Sequence, residues 1–283
     1  MTPPSRTGVV ETESARLVYD VAGEGEAVVL VHSGIADRRM WDPQFSTLAE
    51  HYRTVRYDMQ GFGDSAFVAE GTDRGDLVAF TGALGIPQAH LVGSSFGASV
   101  ALDAALEHPE LVRSLTLVGP TVGGHDYEGT GPEWKAVLDR YEASVEAFEA
   151  GAYREAAEHE AALWVVGPGR ETEAVDADLL ERIVEMDDRA LRMEAAGRRR
   201  EDASVLDPPA ADRLSSLSIP VHVVVGAYDL PSVGEAAGLL VERAPDAQLS
   251  VVDDAAHLPN LERPEAVTDL LLEFWASVAE GTT

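Results

Sequence analysis

The chain has 283 residues, 45% of them hydrophobic and 25% charged, and its 50 acidic against 21 basic side chains leave a formal charge of −29. A field of that sign repels phosphate, which excludes nucleic acid and anionic membrane surfaces as partners. The sequence contains no cysteine, which excludes disulfides, a thiolate nucleophile and thiolate metal sites.

The first two predicted strands, near residues 8–13 and 16–21, are joined by a short polar turn and form an antiparallel start. A third, near 27–32, opens on the apolar run Ala27 to Leu30 and leads into the loop Val31-His32-Ser33-Gly34-Ile35. A helix near 41–50 precedes a strand at 53–58 and the loop Asp58 to Ser65. After a helix at 74–84, the strand at 89–94 runs into Gly93-Ser94-Ser95-Phe96-Gly97 and a helix over 96–107. Strands at 113–118, 220–226 and 247–252 follow, with helices at 233–243 and 264–278. Nearly continuous apolar runs separated by helix-length segments are the mark of parallel strands covered on both faces. The expected architecture is an eight-stranded, mostly parallel α/β sheet flanked by helices.

Between Pro120 and about Ser216 the alternation stops and acidic helical sequence takes over. Residues 1–119 and 217–283 therefore read as the core, and 120–216 as a helical cap inserted above the carboxyl ends of the strands. Three cap helices are expected, the first carrying Trp134, Val137, Leu138, Tyr141, Val145 and Phe148 at helical spacing, the others near 153–165 and 176–197. That stripe reads as internal packing, with Trp134 and Trp164 as the aromatics offered to a substrate.

The chemistry-bearing pattern is the turn at Ser95. A serine at a sharp strand-to-helix turn takes strained backbone angles, so the residues two before and two after must be small, and both are glycine. Asp229 lies just past the apolar run Val221 to Val225, and His257 lies in the loop after Leu249 to Val252. Serine, acid, histidine is the chain order of the α/β-hydrolase arrangement and differs from that of the chymotrypsin and subtilisin triads. A hydroxyl is a poor nucleophile at neutral pH, so His257 is expected to take the Ser95 proton while Asp229 fixes the imidazole tautomer. The oxyanion donors are expected to be the backbone N–H groups of Phe96 and Gly34, with Ile35 as the alternative one residue on.

On these motifs the chain resembles the α/β-hydrolase-fold superfamily over nearly all its length. Arg56-Tyr57-Asp58-Met59-Gln60-Gly61-Phe62-Gly63-Asp64-Ser65 is similar to the family's D-x-R-G-x-G-x-S loop, and Leu258 to Glu265 resembles the segment after its catalytic histidine. Trp164 to Arg170 resembles a Trp-x-x-Gly-Pro-Gly-Arg cap motif, most similar to that of actinobacterial hydrolases related to 3-oxoadipate enol-lactonases. Two positions depart from the pattern: Gln60 stands where the family has arginine, and Ser33 where many members have glycine, which would put a hydroxyl near the pocket mouth. The resemblance implies a cofactor-independent serine hydrolase of a carboxylic ester or lactone, acting on a small molecule. C–C bond hydrolysis, acyl transfer and perhydrolysis on the same scaffold are the alternatives, and a non-catalytic ligand-binding protein is a third. Ser33, Trp134, Trp164 and Leu258 are the candidate substrate contacts.

The remaining signals are weaker. His159-Glu160 begins like a zinc-protease helix, but Leu163 stands where the second histidine belongs, so no metal site is expected. Gly61-Phe62-Gly63 lacks the third glycine of a dinucleotide loop. His51, His90, His108 and His222 read as structural, His32 as a loop anchor, and Asp254 as an alternative acid. Arg198, Arg199 and Arg200 read as a solvated cluster. No stretch nears the ~18 apolar residues of a membrane span, and Met1 to Gly8 has no signal-peptide core. A cytoplasmic monomer or homodimer is expected.

Overall fold

The structure, a computed structural model, describes residues 4–127, 129–198 and 206–281. Its strands are β1 (Arg6–Glu11), β2 (Ala15–Ala22), β3 (Ala27–Val31), β4 (Arg53–Tyr57), β5 (Ala66–Phe67), β6 (Ala89–Ser94), β7 (Val112–Val118), β8 (Val221–Gly226) and β9 (Ala247–Val252). They form one sheet in the order β1-β2-β4-β3-β6-β7-β8-β9, with β5 paired to β2. Pairing is parallel from β4 through β9 and antiparallel around β2.

The sheet thus has nine strands rather than the eight expected. The extra one, β5, is two residues long and pairs Phe67 with Ala15 and Ala66 with Arg16. Two residues carry no periodicity, so only tertiary pairing makes them a strand.

Successive residues of a strand point to opposite faces, and both faces here are buried. In β3, Val29 and Val31 join one apolar layer while Val28 and Leu30 join the other. The first layer is completed by α2 (Asp73–Ala83), α3 (Phe96–Glu107) and α8 (Pro231–Arg243), and the second by α1 (Asp42–Leu48) and α10 (Pro264–Gly281). Here α4 spans Gly131–Glu149, α5 Tyr153–Ala161, α6 Ala177–Ala195, α7 Ala210–Arg213, α8 Pro231–Arg243, α9 Pro259–Glu262 and α10 Pro264–Gly281. None of the described helices is long and apolar enough to cross a membrane.

Helices α4, α5 and α6 all lie between β7 and β8 and pack on one another in sequence order. The helix expected near 153–165 ends at Ala161 and passes into a wider π-helical turn, Ala162–Val166, closed by Gly167 at φ +79°. Such turns re-aim side chains and recur at functional sites.

Candidate active site

Ser95 sits between the last residue of β6 and the first of α3 with φ 53° and ψ −116°, a left-handed conformation that strains any non-glycine residue. Its N–H donates to the Val118 carbonyl at 2.8 Å, fixing the turn against β7. The flanking glycines are sterically required. A Cβ at Gly93 would lie 2.2 Å from the Gly97 carbonyl oxygen, and one at Gly97 would lie 2.3 Å from the His32 carbonyl oxygen.

The three residues drawn from distant parts of the sequence meet here. Ser95 Oγ lies 2.8 Å from His257 Nε2, and His257 Nδ1 lies 2.9 and 3.1 Å from the two Asp229 carboxylate oxygens. The His257 and Asp229 side chains are only 2% and 4% exposed, so little water competes for these bonds. Asp229 is oriented by the Leu230 N–H, which donates to its Oδ1 at 2.7 Å at the start of α8. Asp254, the alternative acid, is 73% exposed and reaches toward Arg263 instead.

His257 is held on several sides. Its N–H donates to the Trp164 carbonyl at 3.2 Å, and the Trp164 ring lies 4.6 Å from the imidazole, centroid to centroid. Gly119, at φ +56°, faces the imidazole so closely that a Cβ there would come within 3.0 Å of two ring atoms.

Gly34 and Ile35 line the same cavity as Ser95 and His257. A Cβ on Gly34 would stand 3.5 Å from Phe96 Cβ, which brings the two expected donor residues side by side. Among the described residues the N–H groups of Gly34, Ile35 and Phe96 engage no acceptor. The loop beneath is braced by His32, whose Nδ1–H donates to the Ser33 carbonyl at 2.8 Å while Nε2 accepts the Met59 N–H at 2.9 Å. Arg38 adds three carboxylate partners, Asp20 at 3.1 Å, Asp64 at 3.0 Å and Asp58. Burial pushes the Asp58 carboxyl up to about 6 against the pull of Arg38. Gln60 is buried in the loop that Asp58 and Ser65 tie down, Ser65 Oγ donating to the Asp58 carbonyl at 2.7 Å.

The cavity holds about 320 Å³. Its floor is Ser95, His257, Gly34 and Ile35; Tyr141, Val145 and Phe148 of α4, with Trp164 and Leu191, supply apolar wall. Ser144, Glu160, Asp187 and Glu194 supply the polar wall.

Of the four expected substrate contacts, only Trp164 lines this space. Ser33 is fully buried, its N–H on Met40 Sδ at 3.2 Å and its carbonyl on the Ala36 N–H, so its hydroxyl is not at the mouth. Leu258 is fully buried in the second apolar layer at the start of α9, where its carbonyl accepts the Leu261 N–H. Trp134 packs on Gly129 and the first apolar layer. The expectation that the α4 stripe is packing holds for Val137, which is buried, and fails for Tyr141, Val145 and Phe148. The i, i+4, i+7 spacing of those three was visible, but a stripe does not say whether it faces protein or a void. Glu160, Asp187 and Glu194 carried no such signal. Arg198 is exposed, and Arg199 and Arg200 lie outside the described residues.

The model of the alpha/beta hydrolase family matches residues 28–270. The chain belongs to that family. It is 27% identical to a pimeloyl-[acyl-carrier protein] methyl ester esterase of Aeromonas hydrophila over 89% of this chain and 96% of that one. It is 37% identical to a 2-hydroxy-6-oxo-6-phenylhexa-2,4-dienoate hydrolase of Comamonas testosteroni, but over 36% of this chain and only 39% of the relative's length. A thermophilic esterase from Thermogutta terrifontis superposes with a TM-score of 0.73 at 26% identity, covering 96% of this chain and 99% of that one. The protein is a hydrolase of the α/β fold.

Proposed function

We infer that this hydrolase cleaves a carboxylic ester or lactone through a Ser95-His257-Asp229 triad and an acyl-enzyme. The observation that carries the reading is the unbroken chain of hydrogen bonds from Ser95 Oγ through both imidazole nitrogens to the Asp229 carboxylate, at the floor of a cavity. Asp229 keeps Nδ1 protonated, which leaves Nε2 as the lone-pair nitrogen facing Ser95. As Ser95 Oγ bonds to the substrate carbonyl carbon, its proton passes to Nε2 and the carbonyl electrons move onto oxygen. The Phe96 and Gly34 N–H groups are the donors for that oxyanion. Collapse breaks the acyl–oxygen bond, and the leaving alkoxide takes the proton from His257. Water then loses a proton to the same nitrogen, attacks the acyl-Ser95 carbonyl, and frees the acid with Ser95 reprotonated.

The segment 120–216 acts in this reading as a cap, since α4, the π-turn and α6 wall the cavity above the core loops. A 320 Å³ space suits a small-molecule substrate.

A second reading, cleavage beside a ketone rather than an ester, is favoured by the 37% identity to the oxo-dienoate hydrolase. The same serine and oxyanion site would serve it. Assaying acetyl and longer acyl esters, simple lactones and a 6-oxo-dienoate on the parent and on Ser95→Ala separates them. Turnover of an ester or lactone that vanishes in Ser95→Ala is the expected result. Fragmentation of the oxo-dienoate alone would replace the first reading by the second.

A further inference from the structure

The cap does more at this site than cover it. Trp164 touches His257 twice, through its backbone carbonyl and through its ring. Gly167, three residues on, lets the same segment press on the chain neighbours of Asp229 and His257. A Cβ there would lie 2.6 Å from the Tyr228 carbonyl oxygen, beside Asp229, and 2.9 Å from the Ala256 Cβ, beside His257. The far end is tied by Arg170, which pairs with buried Glu262 at 2.7 Å, and Glu262 in turn accepts the Ala256 N–H at 2.7 Å.

What fixes the Trp164 ring itself is Glu160. Four residues earlier, and so on the same helical side, it accepts the indole N–H on Oε2 at 2.6 Å. Its other oxygen accepts the Ser144 hydroxyl of α4 at 2.9 Å. Both carboxylate oxygens are thus occupied, one by a neighbouring helix and one by the indole, and a charge-assisted bond of this kind holds a ring orientation that packing alone would leave free. A Trp indole partly exposed to a cavity needs no carboxylate to satisfy its N–H, since water would serve. The carboxylate therefore has a geometric consequence, the placement of the indole against the imidazole.

We propose that Glu160 is a positioning residue that sets the His257 imidazole through Trp164, with Ser144 as its own anchor. This rests on the triad reading above. With the indole held, the imidazole is confined to the orientation that reaches Ser95 and Asp229 together. The positive charge it gains as Ser95 attacks also lies within cation–π distance of the indole, whose plane is tilted 38° to the imidazole. Glu160 acts at one remove and contributes to kcat for any substrate, small or bulky.

The test is a double-mutant cycle read as kcat and KM on an acetyl ester and a bulky ester. E160A is expected to lower kcat about ten- to hundredfold on both esters with KM changed less than about threefold. E160Q, which still accepts the indole N–H and can donate to Ser144 Oγ, is expected to recover kcat to within about threefold of the parent. W164F removes the donor, so E160A added to W164F should cost less than about twofold more. Equal losses from E160A in the two backgrounds, or a loss confined to KM, would overturn the proposal. Should E160A not fold, S144A is put through the same cycle with W164F, where additive losses would overturn it. Failure of the triad reading is separable: it shows as turnover surviving in Ser95→Ala, whereas failure of this proposal leaves Ser95→Ala dead and E160A active.

Discussion

The carbonyl oxygen of Gly97 lies so close to Gly93 that a Cβ added there would stand 2.2 Å from it, with Ala98 Cα at 2.7 Å. Both obstacles are backbone, which cannot rotate aside. Gly93→Ala is accordingly expected to destabilise the fold by more than about 2 kcal/mol and to displace Ser95. Gly82→Ala in α2 is the contrast, because nothing lies within 4 Å of the added Cβ. Alanine there should stabilise by about 0.5–1 kcal/mol through helix propensity. Urea unfolding of both variants checks the pair; a neutral Gly93→Ala would contradict the steric argument.

The acid assignment makes a sharp comparison. Asp229→Asn keeps a hydrogen-bonding group of the same shape but favours the wrong imidazole tautomer, which by the protease precedent costs on the order of 10⁴ in kcat. Asp254→Asn changes an exposed side chain with no tie to His257 and should leave kcat within about twofold. Initial-rate kinetics on one ester decide between them, and a reversal of the two effects would move the acid to Asp254.

Stability should fall in mild acid partly through His222. Burial depresses its folded pKa from 6.5 to about 4, while Nε2 shares a hydrogen bond with Ser250 Oγ at 2.9 Å. Between those values the unfolded chain binds the proton and the folded chain does not, so stability is full above about pH 6.5 and is lost as pH falls toward 4. The contribution is on the order of 3 kcal/mol. Urea midpoints from pH 7 to 4.5 should fall less steeply for His222→Gln than for the parent. Parallel slopes would show that His222 does not carry the effect.

The α4 wall predicts selectivity. Tyr141→Ala and Val145→Ala remove surface that meets the substrate equally in its ground and transition states, so KM should rise and kcat hold. For a bulky acyl ester the loss is expected at about 1–3 kcal/mol, and much less for an acetyl ester. Equal losses on both esters would mean that α4 does not contact the acyl group.

The core and the three residues that meet at the cavity floor were legible because each left a local mark. Val28 to Leu30 reads as a buried strand by apolarity alone, and Ser95 is marked by two glycines whose reason is steric. Asp229 and His257 follow strands, where the fold delivers loops to one edge of the sheet. β9 shows where such marks mislead: its apolar run suggests burial, yet Leu249 and Val251 are 44% and 56% exposed at the sheet edge. Periodicity cannot tell an edge from a centre. The cavity wall was illegible for a related reason, since Glu160 acquires its role from Ser144 and Trp164 on other turns of the chain. Trp164 looked like a roof for substrate; its ring in fact lies on the imidazole, so truncating it should reach kcat as well as KM.

In this mechanism Ser95 is the nucleophile, made reactive by His257 and Asp229. Incubating the folded protein with a fluorophosphonate and mapping the adduct by peptide mass spectrometry tests it directly, because the reagent phosphonylates only a serine with an activating base and an oxyanion site. A single adduct on Ser95, absent from Ser95→Ala and slowed strongly in Asp229→Asn, is the predicted result. No adduct, or one on another residue with Ser95 unmodified, would mean that Ser95 is not the nucleophile.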